Sequence, residues 1–275
     1  MNNNTQAPAL AFDGISCVFA SNEREGERYV AVGDTTLHVA PGEFVSVVGP
    51  TGCGKSTLLN VAAGLLAPSS GSVHVFGQPL TGVNSRAGYM FQAEALMPWR
   101  SAISNVAAGL EFRGVSQPDA EKAAGEWLKR VGLGGFENRY PHQMSGGMRK
   151  RTALAQTLIL DPDIILMDEP FSALDIQTRQ LMENEVLALW QAKRKAVLFI
   201  THDLDEAIAM SDRVVVLSAG PATRPIGECV IDLERPRDVA EIRVHPRFIE
   251  LHEQIWSVLR DEVLKGYARQ MEVSA

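Results

Sequence analysis

Residues 43–57, EFVSVVGPTGCGKST, join a strand-like apolar run to a glycine-rich segment that ends in Lys-Ser-Thr. The segment Gly49–Thr57 fits the pattern GxxxxGK[ST], and a helical pattern over residues 56–66 follows it directly. The glycines let the backbone curl so that its N–H groups point at phosphate oxygens, while the helix presents the positive end of its dipole. The stretch therefore predicts a phosphate-binding loop. A plain glycine-rich turn would need neither the Lys-Ser-Thr ending nor a position between a strand and a helix.

Two side chains of the loop carry the expected chemistry. Lys55 is placed to reach the β- and γ-phosphates of a nucleotide, and Ser56 is placed to hold Mg²⁺. Cys53 lies close to the helix start and to Lys55, which favours a thiolate and predicts preferential alkylation. The other loop residues that we expect at the nucleotide are Gly49, Pro50, Thr51, Gly52, Gly54 and Thr57.

A pair of carboxylates ends a second apolar run, DIILMDEP, over residues 163–170. Asp168 at the end of a strand beside the phosphate loop can orient the magnesium shell. Glu169 points the other way, because alternate strand residues face opposite sides, and is available to position and deprotonate a water. Without a phosphate loop upstream, the same pair could equally be a solvated turn.

The remaining pattern predicts an α/β protein. Three nearly continuous apolar runs alternate with helical stretches, which indicates a parallel sheet covered on both faces. These runs are 163–168, 196–201 and 213–218. Residues from about 93 to 160 have helical spacing instead, and a last helix is expected from Pro246, with one apolar face. That face comprises Phe248, Leu251, Ile255, Val258 and Leu259.

Composition excludes several classes of protein. The 275 residues are 45% apolar, which suffices for a core, and the net charge of −7 argues against a cationic face for nucleic acid. Cys17, Cys53 and Cys229 are too few and too widely spaced for a disulfide framework. The longest uncharged stretch, residues 56–85, contains turn residues and cannot span a bilayer. If the protein serves a membrane, another polypeptide must span it.

The phosphate loop and the acidic strand end alone indicate a P-loop NTPase and leave kinases, helicases and GTPases open. A further stretch distinguishes among these classes of P-loop NTPase. It covers residues 144–170, MSGGMRKRTALAQTLILDPDIILMDEP. Ser145, Gly146 and Gly147 open a helix, and a serine hydroxyl with bare glycine amides at a helix start forms a second phosphate site. This run resembles the signature of the ABC ATPases, although taken alone it could be an ordinary N-cap.

Further motifs of that family appear in the same order. Gln92 after GYMF resembles the Q-loop glutamine, Asp175 ends a D-loop-like SALD, and His202 in ITHD resembles the switch histidine. Phe19 is the candidate aromatic for stacking on adenine. Tyr29 competes with it, because the insert SNEREGER between the two blurs the spacing.

The resemblance implies a fold and a site. The fold is α/β, with a RecA-like P-loop NTPase parallel-sheet core, an N-terminal antiparallel β subdomain and a helical signature subdomain. The ATPase domain spans residues 1–235, its helical part covers about 93–160, and residues 236–275 form a C-terminal helical tail. ATP and Mg²⁺ are the implied cofactors. The implied catalytic residues are Glu169, His202, Gln92 and Lys55, and the implied metal ligands are Ser56, Gln92 and Asp168.

In that family the signature closes over ATP held by another subunit, so the resemblance implies a head-to-tail homodimer. Residues 91–115 and 234–263 resemble ATPases of nitrate, sulfonate and taurine importers, which implies an integral membrane permease and, indirectly, a periplasmic solute-binding protein. The chain would then be cytoplasmic and peripheral on the inner face of the cell membrane. A soluble non-transport ABC ATPase and a metabolic P-loop kinase are the alternatives.

One segment is a candidate for contact with the permease. Residues 92–99 connect Gln92 to the helical part, and Leu96, Met97 and Trp99 look exposed in the sequence. We expect this segment to couple to a short cytosolic helix of the permease, with a packed loop as the alternative. Met148 departs from the commonest family pattern, which has a glutamine there, and so removes a side-chain amide near the partner's nucleotide.

Overall fold

The computed structural model describes residues 7–20 and 28–273, so residues 21–27 of the SNEREGER insert lie outside the description. The strands are β1 (Leu10–Ala20), β2 (Arg28–Val39), β3 (Phe44–Val48), β4 (Ser70–Val75), β5 (Gln78–Pro79), β6 (Ala87–Met90), β7 (Ile164–Asp168), β8 (Ala196–Ile200), β9 (Arg213–Leu217) and β10 (Pro225–Val230). The helices are α1 (Lys55–Ala62), α2 (Ala102–Phe112), α3 (Gln117–Arg130), α4 (Gly146–Leu158), α5 (Ile176–Lys193), α6 (Leu204–Met210), α7 (Val239–Ile242) and α8 (Pro246–Val273).

The larger sheet has the strand order β10-β9-β3-β8-β7-β6. Strands β9, β3, β8, β7 and β6 run parallel, and β10 pairs with β9 in the antiparallel sense. The three apolar runs predicted as buried strands are β7, β8 and β9. The prediction of a parallel sheet is confirmed, and such strands read as continuous apolar runs because both faces are covered.

Alternate residues of these strands enter two different cores. In β7, Ile164 and Leu166 pack on the side of α1, whereas Ile165 and Met167 pack on the side of the helical segment and α5. Because the side-chain period of a strand is two, Asp168 continues the row of Ile164 and Leu166. The carboxylate of Asp168 therefore lies on the face of the sheet that α1 covers.

The smaller sheet is antiparallel, in the order β2-β1-β4-β5, and it covers the α1 side of the parallel sheet. Phe12 from β1 and Leu37 from β2 pack in one core with Leu59 of α1. The chain thus has an antiparallel N-terminal part beside a parallel core, as the family resemblance implied.

Helices α2, α3 and α4 make up the helical segment, and serine side chains in the preceding loops cap the N-termini of α2 and α3. Ser101 and Ser116 accept hydrogen bonds from the backbone N–H groups of Ser104 and Asp119 at the starts of α2 and α3. Gly132, at φ 69, follows α3 in the left-handed conformation that ends many helices. The helical spacing of the sequence from about residue 93 to 160 therefore corresponds to the three helices α2, α3 and α4.

The C-terminal segment is part of the core. Four of the five residues predicted for the apolar face of the last helix, Phe248, Leu251, Ile255 and Leu259, are buried. Val258 is 37% exposed, so the prediction was wrong for this residue; it lies near Gly227 of β10 at the edge of the contact. Arg237 also holds this segment down, since its guanidinium donates to Ser211 O at 2.7 Å.

The far end of α8 reaches the nucleotide-site side of the sheet. Glu262 accepts a hydrogen bond from the backbone N–H of Ala219 at 2.7 Å, just after β9. A Cβ added to Gly266 would lie 3.3 Å from the Cβ of Pro50 in the phosphate loop. Among the described residues, no helix is long and apolar enough to cross a membrane.

Candidate nucleotide site

The candidate site lies along the carboxyl ends of four neighbouring parallel strands. The phosphate loop follows β3, His202 lies two residues after β8, Asp168 ends β7, and Gln92 lies two residues after β6. The strand order β3-β8-β7-β6 places these ends side by side. In open α/β sheets this edge is where ligands bind. Four motifs that are far apart in the sequence are therefore neighbours.

The phosphate loop is shaped by backbone conformations that only glycine adopts easily. Gly52 and Gly54 have φ values of 75° and 105°. The curled loop surrounds the Lys55 side chain, whose Nζ donates to Gly49 O at 2.8 Å and to Pro50 O at 2.9 Å. Lys55 is buried. Its ammonium group is thus held inside the curl of the loop.

The Cys53 thiol contradicts the prediction of a reactive thiolate. It is 2% exposed, and a Cβ added to Gly49 would lie only 3.0 Å from its Sγ. Burial raises the pKa of Cys53, and the nearby Lys55 charge offsets this only in part. The expectation was wrong because proximity to a cation lowers a thiol pKa only when desolvation does not outweigh it. The backbone of Cys53 remains part of the loop.

The side chain of Ser56 lies close enough to Asp168 to lower the pKa of its carboxyl group. Asp168 is 4% exposed, and burial raises its pKa, against the lowering effects of Ser56, Lys55 and Lys150. Within the described residues, no group of three or more His, Cys, Asp or Glu side chains could hold a metal ion. A hydroxyl and one carboxylate are nevertheless a donor set that suits Mg²⁺, which is usually bound by one or two carboxylates together with substrate phosphates.

Glu169 turns away from the strand line of Asp168. Its backbone has φ 46, in the left-handed region, and its N–H donates to Ile200 O at 2.9 Å. The carboxylate contacts two predicted site residues: Gln92 Nε2 donates to Oε2 at 3.3 Å, and His202 Nδ1 lies 3.3 Å from Oε1. The structure therefore brings three of the predicted catalytic residues into one cluster beside the phosphate loop.

A second group of charged residues lies behind His202, and the sequence analysis did not identify it. Arg179 Nη1 lies 3.3 Å from Asp203 Oδ2 and 3.7 Å from Glu206 Oε1. Thr201 Oγ1 donates to Glu206 Oε2 at 2.6 Å, and burial raises the pKa of Glu206 to about 7. Arg179, Thr201 and Glu206 line a small cavity together with Glu169 and His202. Thr201 and Asp203 belong to ITHD and Glu206 follows it closely, and that proximity was the only available signal.

The signature residues lie away from the phosphate loop of the same chain. Ser145 caps α4, and its Oγ accepts a hydrogen bond from the N–H of Met148 at 3.2 Å. Gly146 and Gly147 begin the helix. In the described part of the chain, no hydrogen bond joins residues 145–147 to residues 49–57. Asp175 is likewise an exposed N-cap, of α5, and accepts from Thr178 N at 3.0 Å.

The two aromatic candidates for adenine face each other. Phe19 and Tyr29 are direct partners in the antiparallel pair of β1 and β2, so their side chains lie on the same side of the sheet. They are 38% and 43% exposed. A Cβ added to Gly220 would lie 3.1 Å from the Tyr29 hydroxyl and 3.8 Å from the Cα of Cys53. Tyr29 therefore reaches toward the phosphate loop, and both residues stay candidates.

Comparison with known proteins identifies the family. The family model described as ABC transporter matches residues 32–172. An uncharacterized ABC transporter ATP-binding protein of Methanocaldococcus jannaschii is 47% identical over 258 residues, which cover 94% of this chain and 93% of the relative. The chain belongs to the ABC transporter family. The resemblance seen in the ordered motifs is thereby confirmed, and this ABC ATPase binds and hydrolyses ATP.

Two further comparisons are with a protein named for import and with a solved structure. The taurine import ATP-binding protein TauB of Roseobacter denitrificans is 40% identical over 246 residues, covering 88% of this chain and 92% of TauB. A dimeric, post-hydrolysis ATP-binding cassette bound to ADP and Pi superposes with a TM-score of 0.74 at 29% identity. That comparison covers 82% of this chain and 100% of the cassette. The expected fold class is confirmed.

Proposed function

We propose that the chain is the ATP-hydrolysing subunit of an ABC importer and that Glu169 is the general base. The cluster of Gln92, Glu169 and His202 beside the phosphate loop carries this proposal. Glu169 accepts the proton of the attacking water at its carboxylate, while His202, 3.3 Å away, orients the water or the γ-phosphate. Gln92 holds the carboxylate from the other side.

The phosphate loop supplies the charge that the reaction needs. Lys55 exchanges its contacts with the Gly49 and Pro50 carbonyls for the β- and γ-phosphates, where negative charge must be stabilised. Ser56 and Asp168, with Gln92, would hold Mg²⁺, which would neutralise phosphate charge when bound. Phe19 or Tyr29 stacks on the adenine ring.

The second half of each site comes from another copy of the chain. Ser145, Gly146 and Gly147 present a hydroxyl and backbone amides at the start of α4, and among the described residues no hydrogen bond links them to residues 49–57. A head-to-tail homodimer places these groups over the partner's ATP, with Asp175 near the interface. The dimeric state of the solved cassette supports this arrangement.

The importer role rests on the relatives. Several of them are named as taurine import ATP-binding proteins, at 40% to 44% identity. We propose an integral membrane permease as the direct partner and a periplasmic binding protein as an indirect one, with the chain in the cytoplasm on the inner face of the membrane. The solute would be taurine, another sulfonate, nitrate or a similar small molecule. Residues 1–235 form the ATPase domain, with 93–160 as its helical part and 236–275 as the tail.

The contact with the permease involves residues 92–99. Trp99 is 73% exposed, as expected. Leu96 and Met97 are only partly exposed, and Leu96 packs against the core, so the expectation that they look outward holds only in part for these two. Met97 is fixed because its N–H donates to Asn105 Oδ1 at 2.7 Å. We therefore propose Trp99, rather than Leu96, as the side chain that meets a cytosolic helix of the permease.

Copurification from detergent-solubilised membranes tests the assignment. The tagged chain should retain a membrane permease, and the complex should hydrolyse ATP. Cysteine pairs between position 99 and cytosolic loops of that permease should crosslink with a yield that depends on ATP, whereas the buried position 107 of α2 serves as a control. Recovery of an active ATPase without any permease would favour a soluble non-transport ABC ATPase instead.

A further inference from the structure

A buried lysine on the signature helix has no role in the mechanism described so far. Lys150 is 3% exposed and lies on the face of α4 that also carries Ala153, Leu154 and Thr157, all buried. Lysine is rarely buried, because an ammonium group removed from water costs free energy unless it is paired. A specific set of partners is therefore expected around Lys150.

Those partners belong to the candidate site. Lys150 Nζ donates a hydrogen bond to the backbone oxygen of Gln92. The side chain of the same glutamine donates to Glu169 Oε2 at 3.3 Å. The charges of Glu94, Asp168 and Glu169 favour the ammonium form, although burial lowers the pKa of Lys150. One residue, Gln92, thus separates this cation from the proposed general base.

The loop that Lys150 contacts has few other anchors. Residues 92–99 form neither helix nor strand, so their position depends on side-chain contacts. Two such contacts are an ion pair at 3.7 Å between Arg149 Nε and Glu94 Oε1, and the hydrogen bond from Met97 N to Asn105. Lys150 is the contact at Gln92 itself. Without it, we expect the Gln92 backbone to shift and its amide to leave Glu169.

We propose that Lys150 is a positioning residue for ATP hydrolysis: it fixes the Gln92 carbonyl and thereby holds the Gln92 side chain against Glu169. Ser145 caps the same helix five residues earlier. In the proposed homodimer, on which this second step rests, Lys150 therefore ties the helix that meets the partner's ATP to the general base of its own subunit.

Two substitutions separate the hydrogen bond from packing and charge. Lys150→Met keeps the length and the apolar stem but cannot donate, and it should lower kcat by roughly 10- to 100-fold with KM for ATP within about twofold. Lys150→Gln keeps an N–H donor and should recover most of kcat. The unfolding midpoints of both variants are measured as well, so that a loss of stability is distinguished from a loss of positioning. Lys122→Met on the exposed side of α3 is the matched control.

A double-mutant cycle with Gln92→Ala decides whether Lys150 acts through Gln92. In that background Lys150→Met should change kcat by less than about twofold, because the side chain it positions is gone. The same loss in both backgrounds, full activity of Lys150→Met, or Lys150→Gln as slow as Lys150→Met would each overturn the proposal.

Amide hydrogen exchange gives a readout that does not need activity. Lys150→Met should speed exchange over residues 92–99 and leave the strand β2 unchanged. Unchanged exchange over 92–99 would also overturn the proposal. A wild-type chain that does not hydrolyse ATP would instead contradict the proposed function, so the two failures are distinguishable.

Discussion

Nδ1 of His202 lies 3.3 Å from Oε1 of Glu169, although 33 positions of sequence separate the two residues. The contact exists because β7 and β8 are adjacent and parallel, with Asp168 paired to Ile200 at their carboxyl ends. Glu169 follows Asp168 by one residue and His202 follows Ile200 by two, so their side chains lie next to each other. The side chain of the histidine is 61% exposed while that of the glutamate is 17% exposed, so the histidine is the member of the pair that faces solvent.

Replacement of Glu169 tests its role as the general base. Glu169→Gln keeps the shape and loses the proton acceptor, so phosphate release should slow by about 10²- to 10⁴-fold while ATP still binds. With one negative charge fewer at the γ-phosphate, ATP-bound dimers should accumulate. A sizing column with MgATP should show a shift from monomer to dimer.

Two variants control that experiment. Ser145→Arg in the Glu169→Gln background should block the shift, because it obstructs the partner's phosphate site. Glu126→Gln, which changes an exposed carboxylate of α3, should hydrolyse ATP normally. Wild-type turnover in Glu169→Gln would rule out Glu169 as the base, whereas lost turnover without any dimer would contradict the two-subunit site.

Lys55→Ala should abolish hydrolysis. The substitution removes the cation at the β- and γ-phosphates, and loss of one such donor commonly costs 10²- to 10³-fold in kcat. It also removes both hydrogen bonds to the Gly49 and Pro50 carbonyls, so the free loop should become more mobile. Phosphate release is the measurement, with Lys122→Ala as the control. Turnover within about twofold of wild type would contradict the phosphate-loop assignment.

Cys53 should be slow to react with maleimide in the folded protein. Its thiol is buried and its pKa is raised, as are those of Cys17 and Cys229. Since thiolate is the reactive form, all three should label slowly at pH 7 and rapidly after unfolding in denaturant. Mass spectrometry of labelled peptides measures this. Fast labelling of Cys53 alone, slowed by MgATP, would contradict this prediction and would show that Cys53 is an accessible thiolate.

The stability of the fold should fall as pH rises through the titration of Glu183. This residue of α5 is 0% exposed, and neither carboxylate oxygen has a hydrogen-bond partner among the described residues. Arg243 Nη2 approaches to 3.7 Å. Burial raises the pKa of Glu183 from 4.5 to about 7, so between these values the folded chain keeps a proton that the unfolded chain has lost. The free energy of unfolding therefore decreases across this window.

Glu183→Gln should remove that decrease. At pH 8 the variant should unfold at a higher temperature than wild type, by the equivalent of up to roughly 3 kcal/mol, and at pH 5 the gain should largely disappear. Thermal unfolding at several pH values checks this, with the exposed Glu253→Gln as the control. A difference that does not depend on pH would mean that Glu183 is ionised throughout.

A bulky residue at position 266 should weaken ATP binding from outside the loop. Because an added Cβ would lie 3.3 Å from Pro50, Gly266→Leu should displace the phosphate loop and raise KM for ATP several-fold, with a smaller change in kcat. Gly125→Leu on α3 is the control, since its added Cβ would lie 3.9 Å from a flexible Ile103 side chain. Equal KM values for the two variants would show that α8 does not influence the loop.

The sequence predicted those parts of the molecule whose pattern is local. Strands buried on both faces appear as apolar runs, and the phosphate loop, the acidic strand end and ITHD each follow such a run. Their meeting at one sheet edge follows from the general rule for parallel sheets. The family resemblance added the antiparallel part, which periodicity alone does not specify.

Other features depend on distant contacts that a local pattern does not encode. The burial of Cys53 results from its approach to Gly49, and desolvation reversed the expected effect of Lys55. The position of Lys150 depends on how α4 packs over the loop after β6. A cation on an otherwise apolar helix face was the available signal for it. The insert before Tyr29 left the adenine aromatic undecided in sequence, and the strand pairing places both candidates together.

Because Glu169 has a left-handed backbone conformation, the residue that activity requires at this position is not the residue that gives the highest stability. A non-glycine residue at φ 46 costs roughly 1 to 2 kcal/mol, and glycine would relieve this cost. Selection for thermostability alone should therefore favour Glu169→Gly, which gains conformational freedom and loses the proposed base. Engineering of a hardier enzyme from this chain would have to hold position 169 fixed and look for stabilising substitutions elsewhere.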